Sequence, residues 1–198
     1  MLSLRLGMLS LLALPAALTG AADPPAAAGR QDRSPGCLPD GDGYLRARIR
    51  GAMNLDIDWH NGEIECEGGP RPDGSGIRVS FAGPQHGDGR RLRLVFGLGA
   101  VQEGRTGRGL PTNLTVIFEG EERVFATRGE GRCTVDDLRQ DRVGALGGEK
   151  RSWRIVARGF CTGPASTLNS DARILVSRFD FAGNAVFEDE AQDSEKHQ

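Results

Sequence analysis

The chain has 198 residues, with 25 Lys and Arg against 27 Asp and Glu, which gives a formal net charge of −2 at pH 7. Proteins that bind nucleic acid through their charge carry a clear excess of basic residues, so this balance argues against a nucleic-acid partner. Arginine far outnumbers lysine and glycine is abundant, a composition typical of GC-rich bacterial genomes.

The first 22 residues have the pattern of a secretory signal peptide. Arg5 precedes a short apolar run over residues 9–18, and small residues follow as far as Ala22. The run is shorter than the roughly 20 apolar residues that a membrane-spanning helix needs. The sequence therefore predicts export to the periplasm or beyond, cleavage after Ala22 (alternatively after Ala28), and a mature chain without a membrane span.

Three further segments follow the predicted signal peptide. Residues 23–36 are rich in Pro, Ala and Gly without periodicity, which predicts a flexible leader. Residues 37–187 are numerous enough to bury a core of their own, and we expect a single domain there. Residues 188–198 are polar and mainly acidic, which predicts a disordered tail.

Alternation of apolar and polar residues with a period of two runs through most of the predicted domain, as in strands with one buried face. The segments with this pattern are 45–49, 55–59, 77–81, 92–96, 114–118, 124–126, 153–158 and 172–181. Asn61-Gly62 is a strong hairpin signal between two such segments. Residues 135–143 are the best candidate for a turn or two of helix. The pattern predicts an all-β protein, an antiparallel β-sandwich or flattened barrel of about nine or ten short strands.

The chain contains four cysteines, Cys37, Cys66, Cys133 and Cys161. An even number in an exported chain predicts two disulfides, for which three connectivities exist. Sequential elements are usually neighbours in antiparallel β-proteins, which favours Cys37–Cys66 and Cys133–Cys161. Close cysteine pairs of the kind that bind zinc do not occur in the sequence.

Arg46, Arg48 and Arg50 lie on one face of the first predicted strand. Outward positions of the same kind are held by Arg78, Arg91, Arg93, Arg154 and Arg158. If these strands are neighbours, they form a basic face that can bind an anionic envelope component, such as a sulfated glycan or a lipid phosphate, or an acidic partner protein through bidentate contacts. The plainer interpretation is that outward positions are simply polar and that nearby Asp and Glu neutralise the arginines.

A second candidate site combines Asp56, Asp58 and His60 on one side of a strand with His86 in a following loop. Carboxylates and imidazoles at this spacing can bind a divalent cation, or place an acid beside a base for proton transfer. A solvated strand face is the plainer interpretation of the same pattern.

The glycine-rich segment Gly97–Gly109 is a third candidate. It lacks the terminal Gly-Lys-Ser/Thr of a P-loop and is followed by a predicted strand, which excludes a dinucleotide-binding turn. Its length and its two arginines, Arg105 and Arg108, make it our preferred place for a binding site, because long loops in compact domains are often functional.

Signatures of common hydrolases, such as G-x-S-x-G and H-E-x-x-H, do not occur in the sequence. We therefore expect an exported, non-enzymatic envelope or secreted protein that acts as a binding or structural module and needs no cofactor. Two alternatives stay open. One is a hydrolase that cuts an envelope polymer with a pair of carboxylates, and the other is a periplasmic metal-binding protein.

Overall fold

The computed structural model describes residues 36–85, 89–129, 131–145, 150–167 and 169–188. These residues form eleven β-strands and one 3₁₀ turn, and they contain no α-helix. The strands are β1 (Tyr44–Gly51), β2 (Leu55–His60), β3 (Glu65–Pro70), β4 (Gly76–Pro84), β5 (Arg91–Gly99), β6 (Leu110–Glu119), β7 (Arg123–Ala126), β8 (Cys133–Ala145), β9 (Lys150–Cys161), β10 (Ala165–Thr167) and β11 (Arg173–Glu188). The predicted all-β fold is confirmed, with slightly more strands than expected.

The strands form two facing layers. One layer runs β3-β4-β5-β6-β7 and the other runs β2-β1-β11-β9-β8, and every strand pairing in the described chain is antiparallel. The layers are linked at their ends, because β6 pairs with both β7 and β8, while the short β10 joins β7 to β11. The predicted antiparallel architecture is thus confirmed.

The suggestion of helix over residues 135–143 is wrong. These residues belong to β8, which pairs with β9 along most of its length. Hydrogen bonds and side-chain packing against a neighbouring strand outweigh a weak local preference.

Four phenylalanine rings join the two layers in the core. Phe81 of β4 lies 5.0 Å from Phe181 of β11, and Phe96 of β5 lies 4.8 Å from Phe179, measured between ring centroids. All four side chains are buried, and each contributes about 1.5–3 kcal/mol by leaving water. Gly183 lets this cluster close, because a Cβ there would stand 2.6 Å from the Phe81 ring.

Both predicted disulfides are present. Cys133 and Cys161 lie directly opposite each other on β8 and β9, and their bond encloses a sequence separation of 28 residues. Cys37, just before β1, bonds to Cys66 of β3 across 29 residues, which ties the start of the described chain to the opposite layer. Two disulfides indicate an oxidising, exported environment.

Most of the predicted flanking segments lie outside the described residues. This holds for the signal peptide, for the leader up to residue 35, and for the acidic tail after Glu188. Within the described residues, no helix has the length and apolar character required to cross a membrane.

Candidate functional site

The β1 arginines of the predicted basic face lie beside the predicted metal ligands of β2. The predicted face does not form as a whole, because its arginines on β4 and β5 lie in the other layer. Arg46 donates from Nε to Oδ1 of Asp58 at 3.0 Å, and Arg48 donates in the same way to Asp56 at 3.3 Å. Arg50 donates from Nη2 to both carboxylate oxygens of Asp56 at 2.9 Å. The two residue sets therefore neutralise each other in exposed ion pairs, which water and salt screen.

The metal hypothesis gains no geometric support from these residues. Hydrogen bonding from Arg50 lowers the pKa of Asp56, so this carboxylate is already engaged by a cation. His60 is exposed, and its backbone N–H donates to Glu63 at 2.8 Å. No three His, Cys, Asp or Glu side chains in the described chain are grouped so as to hold a metal ion. His86 lies outside that part of the chain, so the four-residue site stays a prediction.

Side chains of β8 and β9 form hydrogen bonds with the glycine-rich segment and hold it in place. Glu103 accepts hydrogen bonds from Nε and Nη2 of Arg151 at 2.7 and 3.0 Å, and from Nε1 of Trp153 at 2.8 Å. Gln140 of β8 donates from Nε2 to two backbone carbonyls of the loop, at 2.7 and 2.8 Å. The loop is thus a fastened connection between β5 and β6.

The two arginines of this loop project outward. Arg105 is exposed and lines a depression of about 280 Å³ between the loop and Leu138. The Arg108 side chain is 87% exposed, with Nε 3.8 Å from Oδ1 of Asp137. No bonding geometry gathers the two guanidinium groups around one ligand position, and their role in binding stays a prediction.

A groove of about 530 Å³ crosses the outer face of the layer built from β2, β1, β11, β9 and β8. Arginines and aspartates alternate along it, above a floor of small and apolar residues. The lining residues are Arg46, Ala47, Arg48, Asp56, Ile57, Asp58, Asp136, Arg158, Gly159, Arg178, Phe179 and Asp180. The groove thus includes part of each residue set that the sequence predicted on β1 and β2.

Two β-bulges shape the groove. The register between β1 and β11 shifts just after the pair Arg48 and Arg178, so that Ser177 has no partner residue on β1. The register between β8 and β9 shifts in the same way, and Asp136 has no partner residue on β9. A bulge bends its strand and redirects the adjacent side chains. The bulge at Ser177 is what puts Arg178 on the outer face, directly opposite Arg48.

Arg158 and Arg178 differ from the arginines of β1 because neither has a bonding partner within the part of the chain that the structure describes. Each is exposed, and neither forms a hydrogen bond or ion pair with another described residue. Arg178 also faces the like charge of Arg48 across the strands, an unfavourable arrangement. Phe160, which is 37% exposed, lies on the strand of Arg158 two residues further along. Two guanidinium groups without a partner in the described part of the chain therefore line one groove.

The outer face continues into a second depression of about 220 Å³, which shares Arg158 and Asp180 with the groove. The hydroxyl of Tyr44 donates to Oδ1 of Asp180 at 2.8 Å. Burial of the hydroxyl, together with the hydrogen bond and charge of Asp180, raises the pKa of Tyr44 to about 12. Arg139 of β8 also lines this depression.

The site is only partly predictable from the sequence. Arg158 is among the predicted outward arginines, whereas Arg178 is not. No protein-family model matches the chain, and the comparisons with curated proteins and with solved structures give no match. Any functional conclusion therefore depends on the geometry of the chain itself.

Proposed function

We propose that this protein is an exported, non-enzymatic binding module that holds an anionic group of an envelope component in the outer-face groove, either in the periplasm or outside the cell. The observation that carries the proposal is the pair Arg158 and Arg178, which line the groove and have no hydrogen-bond or ion-pair partner among the residues described. The arginines of β1, by contrast, already form ion pairs with aspartates.

The chemistry of the pair suits an anion. A guanidinium group presents donors in a planar fork that matches a carboxylate, sulfate or phosphate. A hydrogen bond to a charged group contributes about 1.5–3 kcal/mol net, less where water and salt screen it. An anion beside Arg178 also offsets the positive charge that Arg178 places opposite Arg48, which is itself paired with Asp56. Affinity is thus expected to fall as the salt concentration rises.

The hydrolase alternative has less support. A carboxylic acid that donates a proton near neutral pH needs a raised pKa. Arg50 and Arg151, through hydrogen bonds, hold the pKa values of Asp56 and Glu103 below the ordinary range. We therefore place the function in binding.

The test is retention of the purified mature protein on immobilised dextran sulfate at low salt. We expect the wild type to bind and a double variant, Arg158→Ser with Arg178→Ser, to elute at a clearly lower salt concentration. The matched control is Arg128→Ser with Arg132→Ser, which removes the same charge from exposed positions outside the groove. Circular dichroism checks that all three proteins are folded.

Two results would contradict the proposal. One is a wild-type protein that does not bind at low salt. The other is equal loss of retention in the groove variant and the control variant, which would assign binding to overall charge. A further variant, Arg50→Ser, tests whether the groove or the predicted basic face of β1 binds the anion. Arg50 belongs to that predicted face but does not line the groove, so its loss should leave retention unchanged.

A further inference from the structure

Three arginines without a partner among the described residues lie on three adjacent strands of the outer face: Arg139 on β8, Arg158 on β9 and Arg178 on β11. The strand register places them on a diagonal. Arg139 lies opposite Val156, two residues before Arg158, and Arg158 lies opposite Asp180, two residues after Arg178. We name these three residues the arginine row.

The spacing of the arginine row suits a ligand with repeated charges. Diagonal neighbours on one face of a sheet lie roughly 7–8 Å apart, so the row offers a positive group at each step across three strands. It runs from the second depression, which Arg139 lines, into the groove, which Arg178 lines, and Arg158 belongs to both. A single small anion occupies one step of such a row, whereas an extended polymer occupies all of it.

Acidic groups between the arginines limit which kinds of anionic polymer can bind along the row. Asp137 and Asp180 flank Arg158 directly on the neighbouring strands, so positive and negative charges alternate across the face. Carboxylates accept hydrogen bonds from the hydroxyl groups of a sugar, but they repel a chain with a charge on every closely spaced unit. The exposed Phe160 adds aromatic surface beside the row, on which a sugar ring can pack, whereas the Tyr44 ring is partly covered by the guanidinium group of Arg46, 4.9 Å from its centroid.

We infer that the anionic ligand is an acidic polysaccharide. Its carboxylate or sulfate groups bind along the arginine row, and its hydroxyl groups donate hydrogen bonds to the intervening aspartates. This inference rests on the proposed function and extends the site beyond the groove to Arg139. Nucleic acid and anionic membranes fit less well, because both present dense negative charge to the aspartates of the face.

The test is calorimetric titration of the mature protein with hyaluronate oligomers from two to ten sugar units, in which a charged sugar alternates with a neutral one. Affinity should rise with length until the row is spanned, and methyl-esterified oligomers of the same length should bind about tenfold more weakly or not at all. Arg139→Ser should leave the affinity for the dimer unchanged and remove most of the gain from dimer to hexamer. The control is Arg142→Ser, an exposed arginine on the same strand outside both depressions.

The outcomes distinguish this inference from the proposed function. Binding that requires Arg158 and Arg178 but does not depend on oligomer length would overturn the polysaccharide and leave the anion site in place. Tighter binding of a single-stranded oligonucleotide, or of vesicles that contain phosphatidylglycerol, at equal ionic strength would overturn the choice of ligand class. Loss of the length effect in Arg142→Ser as well as in Arg139→Ser would refute the arginine row as the site.

Discussion

Replacement of Glu103 by glutamine tests whether the glycine-rich loop is fastened by this one side chain. The carboxylate accepts two hydrogen bonds from Arg151 and one from Trp153. The side chains of Glu103 and Arg151 are 27% and 28% exposed, so water screens the pair only in part. Hydrogen bonds to charged groups are worth about 1.5–3 kcal/mol, and this exposure favours the lower end, so we expect Glu103→Gln to cost about 1–2 kcal/mol.

The pH dependence of this loss has a defined sign. Hydrogen bonding from Arg151, aided by Trp153 and opposed by burial, lowers the pKa of Glu103 from its ordinary value of 4.5. A lowered pKa in the folded state means that the stabilisation is complete above the unfolded pKa and is lost as the pH falls through the folded pKa. Protonated glutamate resembles glutamine, so the difference between wild type and Glu103→Gln should shrink as the pH falls from 7 to below 4.5.

The assay is urea unfolding of both proteins at pH 7 and in acid, with amide hydrogen exchange of Gly104 and Gly107 as a local readout. Both proteins lose stability in acid through other carboxylates, so the quantity compared is the difference between them at each pH. Glu122→Gln is the control, because Glu122 is exposed and has no ion pair with another described residue. A difference that stays the same in acid, or one equal to that of the control, would refute the reasoning.

Three further predictions concern stability and titration. Tyr44 is the only tyrosine, so ultraviolet absorbance should report a midpoint near its pKa of about 12, and its contribution to stability should be complete below pH 10 and lost as the pH rises toward 12. Asp180→Asn should lower that midpoint, and an unchanged midpoint would disprove the role of the hydrogen bond. Replacing both Cys133 and Cys161 with alanine should reduce the free energy of unfolding by about 3.5 kcal/mol for a separation of 28 residues, and a loss below about 1.5 kcal/mol would argue against the loop-entropy account. Gly183→Ala should cost about 1–3 kcal/mol in urea unfolding, because the added methyl group would press on a buried phenylalanine ring, and an unchanged midpoint would show that the ring moves freely.

The general architecture could be predicted because it depends on local patterns. In β1, Leu45, Ala47 and Ile49 are buried and alternate with exposed or half-exposed polar residues. In β6, buried and half-buried positions alternate through all ten residues. Four cysteines in an exported chain restrict the possible pairings to three, and adjacency of sequential strands selects the pair of bonds that is found. These signals require no knowledge of contacts between distant residues.

The ion pairs of the outer face required such knowledge. Arg46 and Asp58 are recognisable as outward residues of consecutive strands, yet their contact depends on the register of the hairpin, which places them opposite each other. Two sets of residues that looked like separate sites from sequence are therefore one neutralised surface. Arg158 is not neutralised in this way. Asp137 and Asp180 lie opposite it on the neighbouring strands, but no carboxylate among the described residues comes within 4.0 Å of its guanidinium group.

The β-bulges explain the two misreadings. In β8, Val135 and Leu138 are both buried three residues apart, a helical spacing that arises because Asp136 adds a residue to the strand. In β11, Val176 and Phe179 are buried three residues apart around Ser177. Interpreting the sequence by strict alternation therefore predicts helix for β8. In β11 it also places Arg178 on the wrong face of the strand.

Two of the three register shifts among the described strands lie along the groove, and the third, between Arg142 and Ala145 of β8, lies outside it. The two that border the groove are consistent with a role in binding. Each bulge leaves a residue outside the regular strand pairing, so it carries a cost in backbone hydrogen bonds that a purely structural strand such as β6 does not have. The core uses the bulge in β11, because Val176 and Phe179 are both buried three residues apart with the extra residue between them. The groove gains as well, since the same residue puts Arg178 opposite Arg48 and the extra residue in β8 brings Asp136 into the lining. Departures from the local pattern are expected where a strand serves a functional surface as well as the core.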